Sequence, residues 1–536
     1  MTTRTASAPR RRTGPIEAFA GTDHKRIGLA AGGVGFAFFL LAGLLAMLMR
    51  AELAGPGMQV VSENTYNQVF TIHGSTMFYL FATPASLAIG IYLVPLQIGA
   101  TGIQWPRAAL TGVWMLIAGG LIMWGGFLTS SGAAAGGWTA FDPLSDTPSS
   151  PGPGMDYWII GVVLSAVAAT VWAWCLLATI VRRRTPGMTL LRMPLLSWGV
   201  LVACLMVVAS FPALILAMVL LYIDRHLGGV FNPPDGALAY QHLFWFYGHP
   251  VVYVVFFPWV GAVAETVATF SGTRFFGYRL TVLSLLAFAA LSMSVWGHHM
   301  FTEDAVANRY FSLTSTALLV PAGIEYFGLL GTMFRGRIRL AAPMLFALGF
   351  VLLFLIGGLT GIFVGSPELD YHVHDSYFIV AHFHYTLFGG TVFGMFAAIY
   401  LWFPKVTGRL LGETLARWHF ALMFVGALLA FVPMFFLGHE GMPRRVANYT
   451  DPGNWETLNI VASIGGYVIF VSIVLFLVNV FRSLRTGRPA GPDPWQGQTL
   501  EWAAPSPPPR GNFTGPLPPV RSYAPLLDLR EEAAAR

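Results

Sequence analysis

The chain has 536 residues, 55% of them hydrophobic and only 10% charged, with a mean hydropathy of +0.63. That composition excludes a soluble globular protein, and a formal net charge of +6 calls for no nucleic-acid partner. Both cysteines, Cys175 and Cys204, lie inside apolar runs; this excludes a disulfide framework and a thiolate site, so any metal must rest on histidine and carboxylate.

The first 26 residues are polar and basic, with Arg10, Arg11 and Arg12 followed by His24-Lys25-Arg26. The next apolar run is too long for a signal peptide and ends in Met49-Arg50-Ala51-Glu52 rather than a small-residue cleavage site. It is read as a retained first span. Runs long enough to cross about 30 Å of hydrocarbon recur along the chain. They predict an all-α polytopic membrane protein of about twelve transmembrane helices, at 27–49, 69–97, 108–128, 157–181, 196–222, 239–267, 279–301, 312–333, 341–364, 376–402, 417–438 and 460–481. Three parts follow: an N-terminal segment 1–26, a twelve-helix catalytic domain 27–486, and a Pro-rich tail 487–536 read as extended and coreless.

Basic residues choose the orientation. They cluster at the N-terminus and after every second span, as Arg182–Arg184 with Arg192, Arg274 with Arg279, Arg335 with Arg337 and Arg339, Lys405 with Arg409, and Arg482 with Arg485 and Arg488. The opposite connections carry Glu52, Asp142, Asp156, Asp235, Glu303, Asp304, Glu368 and Asp370. Both termini are therefore expected in the cytoplasm.

Ionisable residues inside spans are costly and read as functional. The stretch from His374 to Tyr385 holds three histidines and an aspartate at the head of an apolar run. His382 and His384, two positions apart, point about 200° apart on a helix, so they cannot share one metal. Two histidines hydrogen-bonded to neighbouring helices is the plainer alternative. With the orientation above, however, His73, His249, His298, His299, His382 and His384 all fall in the outer half of the membrane. A metal layer explains a shared depth; a cofactor-free transporter or channel using histidines as proton relays explains it less well.

Imidazole suits copper and haem iron. His249 with the adjacent His298 and His299 can make a three-coordinate copper site with an open position. His73 and His384 can hold one haem from both faces, and His382 a second haem with one face open. Tyr253 lies four residues after His249, on the same helical face, where a phenol can supply an electron and a proton; an ordinary buried aromatic is the alternative.

The segments Asp23-His-Lys-Arg26, Arg50-Ala-Glu-Leu53, His73-Gly74, Val94-Pro-Leu-Gln-Ile-Gly-Ala100, Gln241-His-Leu-Phe-Trp-Phe-Tyr-Gly-His-Pro250, Val295-Trp-Gly-His-His-Met-Phe301, the stretch from His374, and Gly441-Met-Pro-Arg-Arg445 together resemble the haem-copper oxidases, specifically subunit I of cytochrome c oxidase. The likeness covers nearly the whole chain. It implies that His73 and His384 are axial ligands of a low-spin haem, His382 the ligand of a high-spin haem, and His249, His298 and His299 those of copper. It implies haem A in at least one site, and Tyr253 as the tyrosine cross-linked to the first copper histidine. Arg444 and Arg445 match a pair that holds haem propionates, and Arg50 a contact to the formyl group of the low-spin haem. His374 and Asp375 match this subunit's share of a magnesium site. Glu52 matches a ligand of a calcium or sodium site, with a plain surface carboxylate as the alternative. The expected partners are a copper-bearing subunit II, a subunit III or other small membrane subunits, and a cytochrome c-type donor. The expected place is the bacterial inner membrane.

The proton routes depart from that pattern. Where the family has glutamate after Gly-His-Pro, the chain has Val251. The aspartate expected after Gln-Ile-Gly-Ala is replaced by Thr101-Gly102-Ile103, and two asparagines by Ala108 and Ala109. A variant Tyr-Ser pair before His-Pro is half present, as Tyr247-Gly248. A serine is replaced by Ala264, and Pro-Thr-Gly-x-Lys reads Pro321-Ala-Gly-Ile-Glu325. Oxygen reduction with weak or rerouted proton coupling is therefore expected, with Glu325 a candidate relay. Nitric oxide reduction at the same centre is the alternative: Glu325 and the lost routes favour it, and Tyr253 disfavours it.

Overall fold

The computed structural model describes residues 20–231, 236–450 and 453–536; Arg10, Arg11, Arg12 and Asp235 lie outside them. Hydrocarbon offers backbone groups no partners, so a spanning segment must satisfy them internally. Among the described residues eleven helices are long and apolar enough to cross a membrane. They are α1 (His24–Glu52), α2 (Glu63–Gln97), α3 (Pro106–Leu128), α4 (Gly154–Arg182), α5 (Leu195–Leu227), α6 (Gly236–Ser271), α8 (Asn308–Arg335), α9 (Ala342–Val364), α10 (Tyr377–Thr407), α11 (Glu413–His439) and α12 (Trp455–Thr486). The shorter apolar helix Tyr278–Ser292 is α7 and completes the twelve. Among the described residues there is no strand, only the isolated bridges Ser376–Pro443 and Arg409–Pro489.

Most successive helices pack side by side around the bundle, and α12 returns against α1. Small residues permit the close approaches that lipid-embedded helices use. A Cβ on Gly119 would stand 2.9 Å from the Gly161 carbonyl oxygen, and one on Gly161 2.7 Å from that of Gly119, which brings α3 and α4 into backbone contact. Large apolar side chains such as Leu121, Leu283, Phe327 and Phe334 are exposed on the periphery, as a lipid-facing surface requires.

Three helices form the interior. The most apolar stretches of α2, α6 and α10 are 89%, 83% and 78% buried, against 22–61% in the other eight long helices. These three carry His73, His249, His382 and His384.

The seventh span, expected over 279–301, is helical only to Ser292. The Ser292 hydroxyl donates to the Ala289 carbonyl and that of Ser294 to Leu291, which takes up carbonyls of the last turn. The chain then tightens into a 3₁₀ turn, Trp296–Met300. Gly297 in that turn lies so close to the Phe311 ring that a Cβ would stand 2.4 Å from it.

Beyond α12 the chain runs extended along one end of the bundle and finishes in a short helix, α13 (Pro525–Ala534). The Trp495 indole donates to the Leu401 carbonyl at 2.9 Å, and Lys405 Nζ donates to the carbonyls of Pro492 and Ala504 at 2.8 and 2.6 Å. Lys25 Nζ donates to Asn512 at 2.8 Å, and Arg274 pairs with Asp528 at 2.7 Å. This segment therefore covers the end of the bundle opposite the histidines.

Candidate metal and haem centre

His249 stands on α6. His298 and His299 stand on the 3₁₀ turn after α7, which leaves adjacent side chains free to converge. His249 Nδ1 is 3.2 Å from His299 Nε2, and His298 Nε2 is 3.1 Å from the same atom. Three nitrogens each about 2.0–2.1 Å from one cation would be spaced this way. Among the described residues this trio is the one cluster of three or more side chains whose donor atoms come together as a metal site requires, all within 4.8 Å. The Ser315 hydroxyl gives its own hydrogen to the Phe311 carbonyl and so accepts from His298 Nδ1 at 2.7 Å, aiming Nε2 inward. Such a second layer fixes the tautomer and orientation of a metal-binding imidazole. The Trp245 indole stacks on His299 at 3.9 Å between centroids. The Tyr253 ring lies 4.7 Å from that of His249, whose buried Nε2 has no partner.

The other three histidines are also tied by one nitrogen. His73 Nδ1 donates to the Ala42 carbonyl of α1 at 2.9 Å, and His384 Nδ1 to the Val380 carbonyl at 2.8 Å. Thr360 gives its hydrogen to the carbonyls of Ile356 and Gly357, so its oxygen accepts from His382 Nδ1 at 3.1 Å. Each ring thus turns Nε2 away as the free lone pair. Helix α10 is continuous from Tyr377 to Leu387, so His382 and His384 address opposite flanks. His382 lies within electrostatic range of all three members of the trio. The rings of His73, His382 and His384 are only half-buried although they sit on the most enclosed helices. Room beside them is what a planar macrocycle needs. Just after two of these histidines the helices loosen into π-helical stretches, Thr76–Ala82 in α2 and Phe388–Val392 in α10, a local distortion frequent at functional sites.

Above the histidines, the turn Gly441–Arg445 is clasped to the start of α10. Tyr377 N donates to the Met442 carbonyl at 3.0 Å, and Arg444 N to that of Asp375 at 2.9 Å. Arg444 forms an ion pair with Asp375, yet its Nε and Arg445 Nη2 are buried without partners. Burial and the neighbouring Arg444 charge push the Arg445 guanidinium down to about 10. Burial works against the Asp375 carboxylate, but Arg444 and Arg445 hold it below its ordinary range. Two guanidiniums facing one carboxylate leave positive charge and open donors, which suits an anionic group. Arg50 is held on α12 by Asn459 Oδ1 at 2.7 Å and the Ser463 hydroxyl at 3.2 Å.

The two lighter-metal positions differ. His374 is held by Asp370 at 2.8 Å, which outweighs its burial and keeps the imidazole above its usual pKa. It and Asp375 offer two side chains, so a magnesium ion there would need further ligands besides them. Glu52 is buried and already accepts from the backbone N–H groups of Gln59, Val60 and Val61 at 2.6–2.9 Å. Its charge is met by backbone dipoles, and this donor set does not call for calcium.

Glu325 on α8 is buried, with Oε1 unpartnered. Two further acids, the half-buried Glu265 on α6 and the buried Glu501 in the C-terminal segment, meet across Gln97. Glu265 carries the signal that marked Glu325, an acid inside an apolar run. Glu501 has no such mark, because only the tertiary course of the tail buries it.

The profile of the family described as Cytochrome C and Quinol oxidase polypeptide I matches residues 26–468. The chain is 47% identical over 519 residues to a putative cytochrome c oxidase subunit 1-beta of Streptomyces coelicolor, covering 96% of this chain and 90% of that one. It is 46% identical over 512 residues to a cytochrome c oxidase subunit 1 of Corynebacterium efficiens, covering 95% and 88%. A haem-copper terminal oxidase dimer solved by electron cryomicroscopy shares the fold, with a TM-score of 0.75 at 18% identity over 87% of this chain and 84% of that one. With its family profile matched over most of its length and its relatives matched nearly end to end, the chain belongs to the cytochrome c and quinol oxidase polypeptide I family.

Proposed function

We propose that the chain reduces dioxygen to water between the His249-His298-His299 trio and His382, with electrons arriving by way of His73 and His384 from a cytochrome c-type donor through a copper-bearing subunit II. Family membership makes it a haem-copper oxidoreductase, the catalytic subunit of a respiratory terminal oxidase, integral to a membrane and working with other subunits. The observation that carries the site reading is the convergence of three imidazole nitrogens at 3.1–3.2 Å beside Tyr253.

When bound, two haems (at least one of them haem A) and one copper would deliver electrons and the place where oxygen is reduced. The chain's own residues do the rest. His249 Nδ1, His298 Nε2 and His299 Nε2 would hold copper, His382 Nε2 the high-spin iron, and His73 and His384 the low-spin iron. Ser315 and Thr360 orient these rings by accepting from Nδ1. Arg444 and Arg445 would neutralise propionates with the buried donors they leave free, and Arg50 would contact the low-spin haem. Tyr253 can give a proton and an electron from its hydroxyl; the free Nε2 of His249 is the atom to which a cross-link to it would form. His374 and Asp375 would complete a magnesium site only with subunit II. The twelve-helix domain 27–486 would lie in the bacterial inner membrane with both termini cytoplasmic, as the basic connections favour.

Reducing dioxygen to two waters takes four electrons and four protons, and Val251, Ala264 and Glu325 stand where the family's inner-side proton routes have other residues. Coupling is therefore weak or rerouted. Glu325, an acid enclosed on α8, also favours a second reading, reduction of nitric oxide without pumping. Oxygen uptake and nitric oxide consumption by the reduced complex with one donor separate the two. Fast oxygen reduction with little nitric oxide turnover supports the oxidase; the reverse supports the second reading.

A further inference from the structure

At the end of the bundle opposite the histidines, a half-buried and a fully buried carboxylate, Glu265 and Glu501, are joined by one amide. Gln97 Nε2 of α2 donates to Glu265 Oε2 at 2.8 Å and to Glu501 Oε1 at 3.3 Å. At its other end the Ser197 hydroxyl donates to Gln97 Oε1 at 2.8 Å. Glu265 Oε1 accepts from the Leu196 backbone N–H at 2.9 Å. Glu501 Oε1 also accepts from the Thr499 hydroxyl at 2.7 Å and the Trp402 indole at 3.1 Å. Glu501 is fully buried, and its second oxygen has no partner at all.

Such a pair has a spare place for one hydrogen. Two carboxylates this close in a low-dielectric interior do not both stay ionised, and every donor around them is already used. The charged and titratable groups facing the pair are few. Lys405 and, behind it, Asp493 stand on the Glu501 side, and the Tyr278 hydroxyl on the Glu265 side. Burial holds the Glu501 carboxyl above its usual range despite the hydrogen bonds it accepts.

The pair also has a door. A crevice between α5, α6 and the C-terminal segment is lined by Glu265, Ala264, Gln498, Thr499 and Tyr523 and has about 20 Å³ of space, enough for one water. It touches Glu265 directly and Glu501 through Thr499. Glu265 lies six residues from the Ser271 end of α6, about 9 Å along the helix axis at 1.5 Å per residue. Glu325, on a helix packed against the same part of α6, lies ten residues from the Arg335 end of α8, about 15 Å deep.

We propose that Glu265 and Glu501, bridged by Gln97, form a proton-holding site that is filled through this crevice from the face bearing the C-terminal segment and emptied inward, toward Glu325, during turnover. The proton adds to a carboxylate oxygen of the pair and leaves from it; no bond to carbon changes and no electron is transferred at this site. The proposal deepens the oxidase reading and rests on it for the consumer of the proton. It replaces the inner-side groups whose positions are taken by Val251 and Ala264.

The test uses the intact complex with Glu265→Gln, Glu265→Asp and Glu501→Gln. The redox-difference infrared spectrum of the unaltered protein should contain a protonated-carboxyl band that shifts in heavy water and is lost in Glu265→Gln or Glu501→Gln. In vesicles, turnover of Glu265→Gln should fall about tenfold or more with the haem spectrum unchanged, and Glu265→Asp should recover part of it. A wild-type rate in Glu265→Gln, or a difference spectrum without such a band, overturns the proposal. If the Gln variants do not assemble, Glu265→Asp decides: a displaced carboxyl band supports the site, and an unmoved spectrum overturns it. A complex that consumes no oxygen would refute the oxidase reading instead, and the carboxyl band on reduction would still report on the pair.

Discussion

The two ends of this bundle solve opposite problems with the same three helices. At one end α2 and α10 present imidazoles tied at Nδ1 and free at Nε2, and α6 presents His249, with guanidiniums above them. At the other end α2 and α6 present Gln97 and Glu265, and the C-terminal segment adds Glu501. Metal binding needs lone pairs and no bound proton, so the first end spends its hydrogen bonds on Nδ1 and leaves Nε2 for a metal in four of the six histidines. Holding a proton needs crowded acids with too few donors, and the second end provides them. An interior that is buried throughout can thus be specialised by which atoms are left without partners.

The largest expected effect is at the first end. Replacing His298 with Asn should remove copper from the purified complex, measured by elemental analysis, and abolish oxygen reduction while leaving the low-spin haem spectrum in place. Next is the layer behind the ligands. Thr360→Val removes one acceptor for His382 Nδ1 and leaves it the Gly357 carbonyl, and should cost about tenfold in turnover or haem retention; retention of full activity would show that the Gly357 carbonyl alone positions the ring. At the opposite end, Lys405→Met leaves the Pro492 and Ala504 carbonyls without their donor and should cost about 2 kcal/mol, read as a lower Tm and faster proteolysis of the C-terminal segment. Its haem spectrum should not move.

The smallest effect is at the N-terminus of α1. The Asp23 side chain caps that helix by accepting from Lys25 N at 3.0 Å and pairs with Lys25 Nζ at 2.9 Å. Asp23→Ala should cost about 1 kcal/mol. Partial burial opposes the Asp23 charge, but Lys25 lowers its pKa below 3.8. The contribution is therefore present above pH 3.8 and lost as pH falls through the lowered value. The Tm difference between wild type and Asp23→Ala should shrink only in that acid range.

The twelve spans were legible because hydrocarbon thickness imposes a length that hydropathy reports directly. The opposed directions of His382 and His384 were legible because α10 is regular across them. The end of α7 was not: residues 293–301 remain apolar, and nothing in their composition marks the change from α to 3₁₀ geometry that lets His298 and His299 converge with His249. The π-helical stretches after His73 and His384 are equally silent, since one added residue per turn changes no residue type. Ser315 and Thr360 look like ordinary helix hydroxyls until their acceptor roles are seen. Glu265 was legible in principle, as an acid in an apolar span. Its partner Glu501 was not, because a Pro-rich tail reads as extended whether or not it is laid against a helix bundle, and 404 residues separate it from Gln97.

The most direct test of the central claim is the reduced optical spectrum with and without carbon monoxide, recorded on wild-type, His382→Asn and His384→Asn complexes. Wild type should show two haems, of which one binds carbon monoxide. His382→Asn should lose the carbon monoxide response and keep the low-spin band, and His384→Asn should lose the low-spin band. Loss of the same band in both variants would contradict an arrangement in which one helix serves a different haem on each side.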